Sequence, residues 1–191
     1  GGVGVLAGNR SGTGGYGQNG DMTDIAPLIR QRWSPKQFDP HHSVSRADIE
    51  LLLEAARWAP SARNHQPWRF IVATRGDATW ERIRPFVVGL SDWALDASLL
   101  VVNIYESWIK EFDLALYDLG ATVMSMSLQG EDIGLHSRQF ASFDRPALSM
   151  EFGIEEPHTA VTITAFGVAA EGVREPERTR LDTEELLWPL G

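Results

Sequence analysis

The chain has 191 residues, of which 43% are hydrophobic, and this is enough for one domain with a substantial core but too little for two. Its net charge of −9 argues against a long nucleic-acid surface, because phosphate backbones are bound by clustered positive charge. The lack of cysteine excludes disulfides, thiolate metal sites and a cysteine nucleophile, and no apolar run approaches the roughly 20 residues of a membrane helix. We therefore expect a cytoplasmic protein without a metal site, a nucleic-acid partner or a membrane segment.

The first 21 residues consist mainly of glycine with small polar residues, and they are predicted to form a flexible leader. Residues 12–17 match the G-x-G-x-x-G pattern of dinucleotide-binding turns, which functions between a strand and a helix. The Gln-Asn-Gly-Asp sequence at 18–21 is a poor start for a helix, so we interpret the match as coincidental. Met22 looks like a natural start, and residues 22–191 are predicted to form a single domain.

The first half of that domain contains helical and strand patterns separated by proline. Ser45 and Asp48 form a capping pair, and apolar residues then recur at helical spacing. Residues 68–73 combine β-branched and aromatic side chains, which is typical of a buried strand. The predicted elements, in chain order, are a helix at 23–31 capped by Thr23, a helix from Ser45 that ends by Pro60, a strand at 68–73 and a helix at 78–84.

The second half contains the longest helical pattern, at 112–133, which Gly134 is expected to end. Its apolar residues fall on one face, and its small residues permit close approach of a partner helix. The other predicted elements are a strand at 99–105, a helix at 146–153, a strand at 160–168 and a final turn at 184–188. Together they predict an α+β fold, with a mixed central sheet of about four or five strands wrapped by helices.

Positive charge is concentrated from the end of the first predicted helix to the region before the second. Arg30, Arg32 and Lys36 lie within seven residues, together with Ser34 and the backbone-fixing Pro35. Three cations and a hydroxyl on one short segment can converge on a phosphate, which accepts charge-assisted hydrogen bonds from all of them. The alternative interpretation is an ordinary solvated surface, although a net-negative chain has no evident reason to concentrate cations here.

A second polar segment is the turn at 60–68, Pro-Ser-Ala-Arg-Asn-His-Gln-Pro-Trp, between a predicted helix and a predicted strand. Turns rich in proline, serine and asparagine direct polar groups outward, and binding residues are frequent on such loops. The alternative is that the turn serves only to reverse the chain, with Trp68 in the core.

In this order and at this separation, the two segments resemble the FMN-dependent nitroreductase family. The first matches its opening motif of alternating basic and hydroxyl residues, and the second matches its Pro-Ser-x-x-Asn-x-Gln-Pro-Trp pattern. The resemblance extends over about 23–190 and implies a nitroreductase-like fold that forms a homodimer, with the long helix and two FMN sites at the interface. It further implies that Arg32, Ser34 and Lys36 bind the phosphate, ribityl chain and pyrimidine edge of FMN, with Trp33 in the same cradle.

By the same resemblance, the turn at 60–68 contacts the FMN of the partner subunit. The residues implied are Pro60, Ser61, Ala62, Asn64 and Gln66. The segment after the long helix is expected to pass the N5 edge of the flavin, through Gln139, Phe140, Ala141 and Ser142. The basic pair Arg178 and Arg180 is expected to close over the phosphate.

Two positions depart from the family pattern. Ser142 stands where the family usually has a glycine, and Leu90 and Ser91 stand where it often has an asparagine that binds the flavin pyrimidine. His136 and Arg138 in the segment after the long helix suggest an acid or base, but a lone histidine is more often structural.

The family resemblance implies hydride transfer from NAD(P)H through FMN to nitroaromatic, quinone or similar conjugated acceptors, by ping-pong kinetics and without a catalytic protein side chain. Trp108, Ile109 and Phe112 are candidates for an apolar lid over the flavin. Two alternatives remain open: another flavin reaction on the same scaffold, such as dehalogenation or flavin breakdown, and a non-enzymatic flavin-binding or storage protein.

Overall fold

The computed structural model of the chain describes residues 25–87, 89–108 and 114–190. The glycine-rich leader, Thr23, Ile109 and Phe112 lie outside the described residues. The helices are α1 (Pro27–Gln31), α2 (Arg46–Arg57), α3 (Ala78–Ile83), α4 (Leu114–Asp132) and α5 (Arg145–Phe152). The strands are β1 (Trp68–Thr74), β2 (Leu99–Glu106), β3 (His136–Phe140) and β4 (His158–Gly167), and short 3₁₀ helices include Ala62–Asn64 and Gly89–Asp96.

The predicted helices are present, and local sequence signals define their ends. Ser45 and Asp48 form the expected capping box at the start of α2, each side chain accepting a backbone N–H of the other residue. Asp144 caps α5, and Gly153 ends it in the left-handed conformation that glycine adopts without steric cost. Helix α1 is shorter than predicted because Pro27 occupies its first turn, where a missing backbone N–H costs nothing.

The four strands form one sheet in the order β1-β2-β4-β3. The predicted α+β class is confirmed, but the prediction of a mixed sheet is wrong for the described residues, because all three strand pairs are antiparallel. Strand β3 was not predicted from the sequence. Its sequence, His-Ser-Arg-Gln-Phe, is too polar to resemble a buried strand, yet it pairs with β4 at one edge of the sheet.

The core lies on both faces of the sheet, because β2 is buried along most of its length. Leu100 and Val102 face α3 and α5, whereas Leu99 and Val101 face α2 and α4. Helices α2 and α4 are joined by a hydrogen bond of 2.6 Å from the Thr122 hydroxyl to the Ala56 carbonyl. These contacts fix α4 across the sheet, directly beside β3. Within the described ranges, none of the helices has the length and hydrophobicity that crossing a bilayer requires.

Candidate functional site

A groove with a volume of about 620 Å³ lies where α1, α4, β3 and the C-terminal segment meet. Five of the sequence-predicted site residues line it: Arg32, Ser34, Gln139, Arg178 and Arg180. The other lining residues are Ile25, Ile29, Arg30, Met124, Ser127 and Ser137. The fold therefore brings together basic residues from opposite ends of the described chain.

Arg178 joins the C-terminal segment to the basic segment after α1. Its Nη1 donates to the carbonyl oxygen of Arg32 over 2.9 Å, and its Nη2 donates to the carbonyl oxygen of Arg30. The same guanidinium forms an ion pair with Glu175. Arg178 thus shapes the wall of the groove as well as contributing charge to it.

The groove contains an excess of positive charge. Four arginines line it, and none of the described residues that line it is acidic, although Glu175 lies beside Arg178. Arg32 also donates to the Ser34 hydroxyl over 3.2 Å, so the serine is held beside a guanidinium. Planar guanidinium groups with several N–H donors match the geometry of phosphate and carboxylate oxygens. This set of donors is therefore best suited to a ligand that carries a dianionic group.

The other two predicted residues of the opening motif, Trp33 and Lys36, do not line the groove. The Trp33 side chain is buried and packs against the His136 ring, with 5.0 Å between the ring centroids. The Trp33 indole does not line the groove, so any ligand contact of this residue is left to its backbone. Lys36 is exposed and is not among the residues that line the groove.

Arg138 is a supporting residue that the sequence analysis did not single out as part of the site. Its guanidinium donates to the Pro35 carbonyl over 3.2 Å and lies 4.2 Å from the centroid of the Trp93 ring. It thereby ties the basic segment to β3. Ser137 on β3 and Ser127 on α4 were also missed, although recognising 136–140 as a strand would have placed Ser137 and Gln139 on the same face.

The turn at 60–68 is held by specific hydrogen bonds. The Ser61 hydroxyl accepts from the Gln66 N–H over 3.0 Å, and the buried Asp118 carboxylate accepts from the Ala62 N–H over 3.0 Å. Three of its non-glycine residues have positive φ: Arg63 (53°), Asn64 (58°) and Gln66 (49°). Such conformations cost on the order of 1–3 kcal/mol each and persist where the surroundings enforce them, frequently at functional sites.

The turn does not line the arginine groove of its own chain. Pro60, Ser61 and Ala62 line a second cavity of about 280 Å³, together with Leu114, Tyr117, Asp118 and Ala121 of α4. Asn64 and Gln66 are exposed and line neither of these two cavities. Within one chain, the predicted residues of the turn are therefore separate from those of the arginine groove.

The segment after β3 lies against the 3₁₀ helix Gly89–Asp96. Phe140 is buried against Trp93, whereas Ala141 and Ser142 are exposed. The Ser142 hydroxyl lies 2.7 Å from that of Ser91, which is fully buried. Ser91 therefore contacts Ser142 instead of facing the groove.

Trp108, the described member of the expected apolar lid, packs against His65 with 3.9 Å between ring centroids. This contact joins the end of β2 to the exposed turn. Among the described residues, no group of three or more histidine, aspartate or glutamate side chains is arranged to hold a metal ion.

Parts of the sequence and the fold are similar to those of known proteins. Residues 29–101 match the model of the Nitroreductase family. An oxygen-insensitive NADPH nitroreductase of Helicobacter pylori is 42% identical over 57 residues, which cover 30% of this chain and 27% of that protein. A protein of Archaeoglobus fulgidus, named for NADH dehydrogenase or NAD(P)H nitroreductase activity, is 27% identical over 172 residues, which cover 88% of this chain and 95% of the relative.

A solved structure described as an oxidoreductase containing FMN is 27% identical, with a TM-score of 0.71 over 80% of each chain. In the first three curated relatives the aligned segment spans only 24% to 35% of the relative's length.

Proposed function

We propose that this chain is an FMN-dependent oxidoreductase that takes hydride from NAD(P)H, because part of its sequence matches the nitroreductase family and its fold resembles that of an oxidoreductase containing FMN. The observation that carries the proposal is the convergence of Arg30, Arg32, Arg178 and Arg180 on one groove beside Ser34. This donor set suits the dianionic phosphate of FMN. Charge-assisted hydrogen bonds contribute roughly 1.5–3 kcal/mol each, so a few of them account for micromolar binding.

FMN, when bound, supplies the hydride chemistry, and the protein supplies binding, orientation and electrostatics. In this proposal Arg32, Ser34, Arg178 and Arg180 hold the phosphate and ribityl chain. Gln139 and the backbone of 140–142 border the flavin ring. Lys36, the exposed last cation of the basic segment, is the proposed positive charge at the pyrimidine edge, where it would favour the electron-rich reduced ring. No side chain of the protein acts as nucleophile or general base.

We further propose a homodimer in which the turn at 60–66 completes the FMN site of the partner subunit. The separation of the turn from the arginine groove within one chain supports this arrangement, since the turn cannot contact a ligand in the groove of its own chain without lining it. An exposed apolar surface on α1 and α4 also supports it, with Ile29 at 48%, Tyr117 at 77% and Met124 at 38% exposure. Burying such side chains between subunits is favourable by about 25 cal/mol per Å² of apolar surface.

The proposed acceptors are nitroaromatics, quinones and similar flat conjugated electrophiles, reduced in a ping-pong cycle in which NAD(P)H and the acceptor occupy the same face in turn. Trp108 of the proposed lid stacks on His65 of the turn, and these two rings are proposed to offer a flat aromatic surface to such acceptors. A cytoplasmic location remains a prediction from the cysteine-free composition.

Comparison of FMN with riboflavin tests the proposal, because the two ligands differ only in the phosphate. Fluorescence titration of the purified protein is expected to give at least tenfold tighter binding of FMN, which corresponds to about 1.4 kcal/mol. The preference is expected to shrink in Arg180→Met, and to persist in the control Arg46→Met, whose side chain is exposed on α2 and pairs with Glu50. Equal affinities for the two ligands would contradict the assignment of the arginine groove.

A further inference from the structure

The Ser91 and Ser142 hydroxyls form a hydrogen bond that joins the 3₁₀ helix Gly89–Asp96 to the segment after β3. The two oxygens are 2.7 Å apart, and the residues are 51 positions apart in the chain. Ser91 has no exposed surface, whereas Ser142 is exposed. The pair therefore connects the interior of the protein to the surface segment proposed to border the flavin.

Burial decides which hydroxyl donates. The Ser142 oxygen is the hydrogen-bond partner that the described residues provide for the Ser91 side chain. If Ser91 only accepted, its own hydroxyl hydrogen would be buried without an acceptor, at a cost of roughly 1–3 kcal/mol. Ser91 therefore donates and Ser142 accepts, which leaves the hydrogen of Ser142 available for donation outward. Accepting the hydrogen bond from Ser91 also makes the Ser142 hydroxyl a stronger donor, because consecutive hydrogen bonds polarise one another.

The elements on both sides of the pair are fixed. Trp93 donates from Nε1 to the Leu90 carbonyl over 3.0 Å and packs edge-on against Phe140, with 5.3 Å between centroids. On the other side, the Asp144 N–H donates to the Phe86 carbonyl over 3.0 Å. Ser142 is consequently held between two anchored neighbours, three residues after Gln139 of the groove. A hydroxyl fixed in this way loses little conformational entropy when it binds a ligand.

We propose that the Ser142 hydroxyl donates a hydrogen bond to the flavin ring and that Ser91 is the positioning residue that orients it. This inference rests on the proposed function. It assigns the two departures from the family pattern to one device, since Ser142 replaces a glycine and Ser91 lies where an asparagine is usual. The reduced flavin ring is richer in electrons than the oxidised ring, so a hydrogen bond donated to the ring by Ser142 favours reduction.

The midpoint potential of bound FMN tests the inference, with FMN affinity measured in parallel by fluorescence titration. Ser142→Ala is expected to lower the potential by about 30 mV, a tenfold change in the equilibrium constant of a two-electron couple, while FMN affinity changes less than threefold. Ser142→Thr retains the hydroxyl and is expected to restore the potential. Ser91→Ala should shift the potential in the same direction, and the double variant should match Ser142→Ala, since the two groups act as one unit.

Ser149→Ala on α5 is the matched control and should leave the potential unchanged. An unchanged or raised potential in Ser142→Ala overturns the inference while leaving FMN binding intact, and so does additivity of the two alanine substitutions. If the unsubstituted protein takes up no FMN, the proposed function fails and the inference fails with it. Should Ser91→Ala not fold, the comparison of alanine with threonine at the exposed position 142 still decides the question.

Discussion

Arg178 donates from Nη1 to the carbonyl oxygen of Arg32 over 2.9 Å, across 146 positions of sequence. Since its Nη2 also donates to the Arg30 carbonyl, one side chain holds the C-terminal segment against the end of α1 and the residue that follows the helix. The groove thus depends on a contact between distant parts of the chain. Loss of Arg178 removes both a cation and the link that brings Arg180 to the same site.

Arg178→Met is therefore expected to weaken FMN binding by tenfold or more, since charged hydrogen bonds contribute roughly 1.5–3 kcal/mol. Arg178→Lys should recover only part of this affinity, because an ammonium group lacks the planar fork that reaches two carbonyls at once. Fluorescence titration measures both variants, with Arg46→Met as control. Unchanged FMN affinity in Arg178→Met would show that the phosphate binds elsewhere.

Asp118 is expected to stabilise the turn at 60–66. Its buried carboxylate accepts the Ala62 N–H over 3.0 Å, so Asp118→Ala leaves that N–H without an acceptor. We expect the free energy of unfolding in urea to fall by roughly 1–3 kcal/mol, and less for Asp118→Asn, which keeps an acceptor oxygen. Asp132→Ala, at the exposed end of α4, is the matched control. Equal stability of the alanine and asparagine variants would contradict this role.

Asn64 tests whether the FMN site is shared between subunits. Asn64→Gly removes the side chain while retaining the left-handed backbone, at φ 58°, that glycine adopts freely. We expect weaker FMN binding in the dimer, although Asn64 does not line the groove of its own chain. The arrangement is tested further by mixing this variant with Arg178→Met.

In a mixed dimer of the two variants, one of the two shared sites contains neither substitution. Separately tagged chains allow that dimer to be isolated, and we expect it to bind about half of the FMN bound by the unsubstituted dimer. Full FMN occupancy of a monomeric protein, or no recovery in the mixed dimer, would contradict a shared site.

The capping box of α2 predicts a pH dependence of stability. Hydrogen bonds from the Ser45 hydroxyl and N–H hold the pKa of Asp48 below its usual value. Because this folded-state pKa lies below the unfolded value of about 3.9, the contribution is present above that pH and is lost as the pH falls through the folded pKa. Ser45→Ala should cost about 1 kcal/mol at neutral pH, and the difference should shrink in acid. Urea unfolding at several pH values measures it, and a constant difference down to pH 2 would be evidence against this origin.

The features that were predicted correctly from the sequence depend only on residues that are close together along the chain. The capping box at Ser45 and Asp48 required only local side-chain and backbone groups, and the long helix was evident from its apolar spacing. Strand β3 was missed because its polar residues face a groove and the sheet edge, where the ordinary pattern of a buried strand is not needed.

The long-range contacts were beyond local reasoning. The Ser91–Ser142 bond and the Arg138–Pro35 bond join residues whose proximity is set by packing of the sheet, the 3₁₀ helix Gly89–Asp96 and the basic segment. The expectation that Arg178 and Arg32 share one site came from the family resemblance. Residue spacing could not provide it, because the two arginines are far apart in the chain. The structure then added the means by which they meet, which is a guanidinium bound to two carbonyls.

The most direct test of the proposed function is the visible absorption spectrum of the purified protein, incubated with FMN and freed of excess, before and after anaerobic addition of NADPH or NADH. We expect retained flavin bands that bleach when a nicotinamide is added, which would establish a flavoprotein reductase. Retained bands that neither nicotinamide bleaches would contradict the proposed hydride transfer and favour a flavin-binding or storage role. A protein that retains no flavin would contradict the account at its foundation.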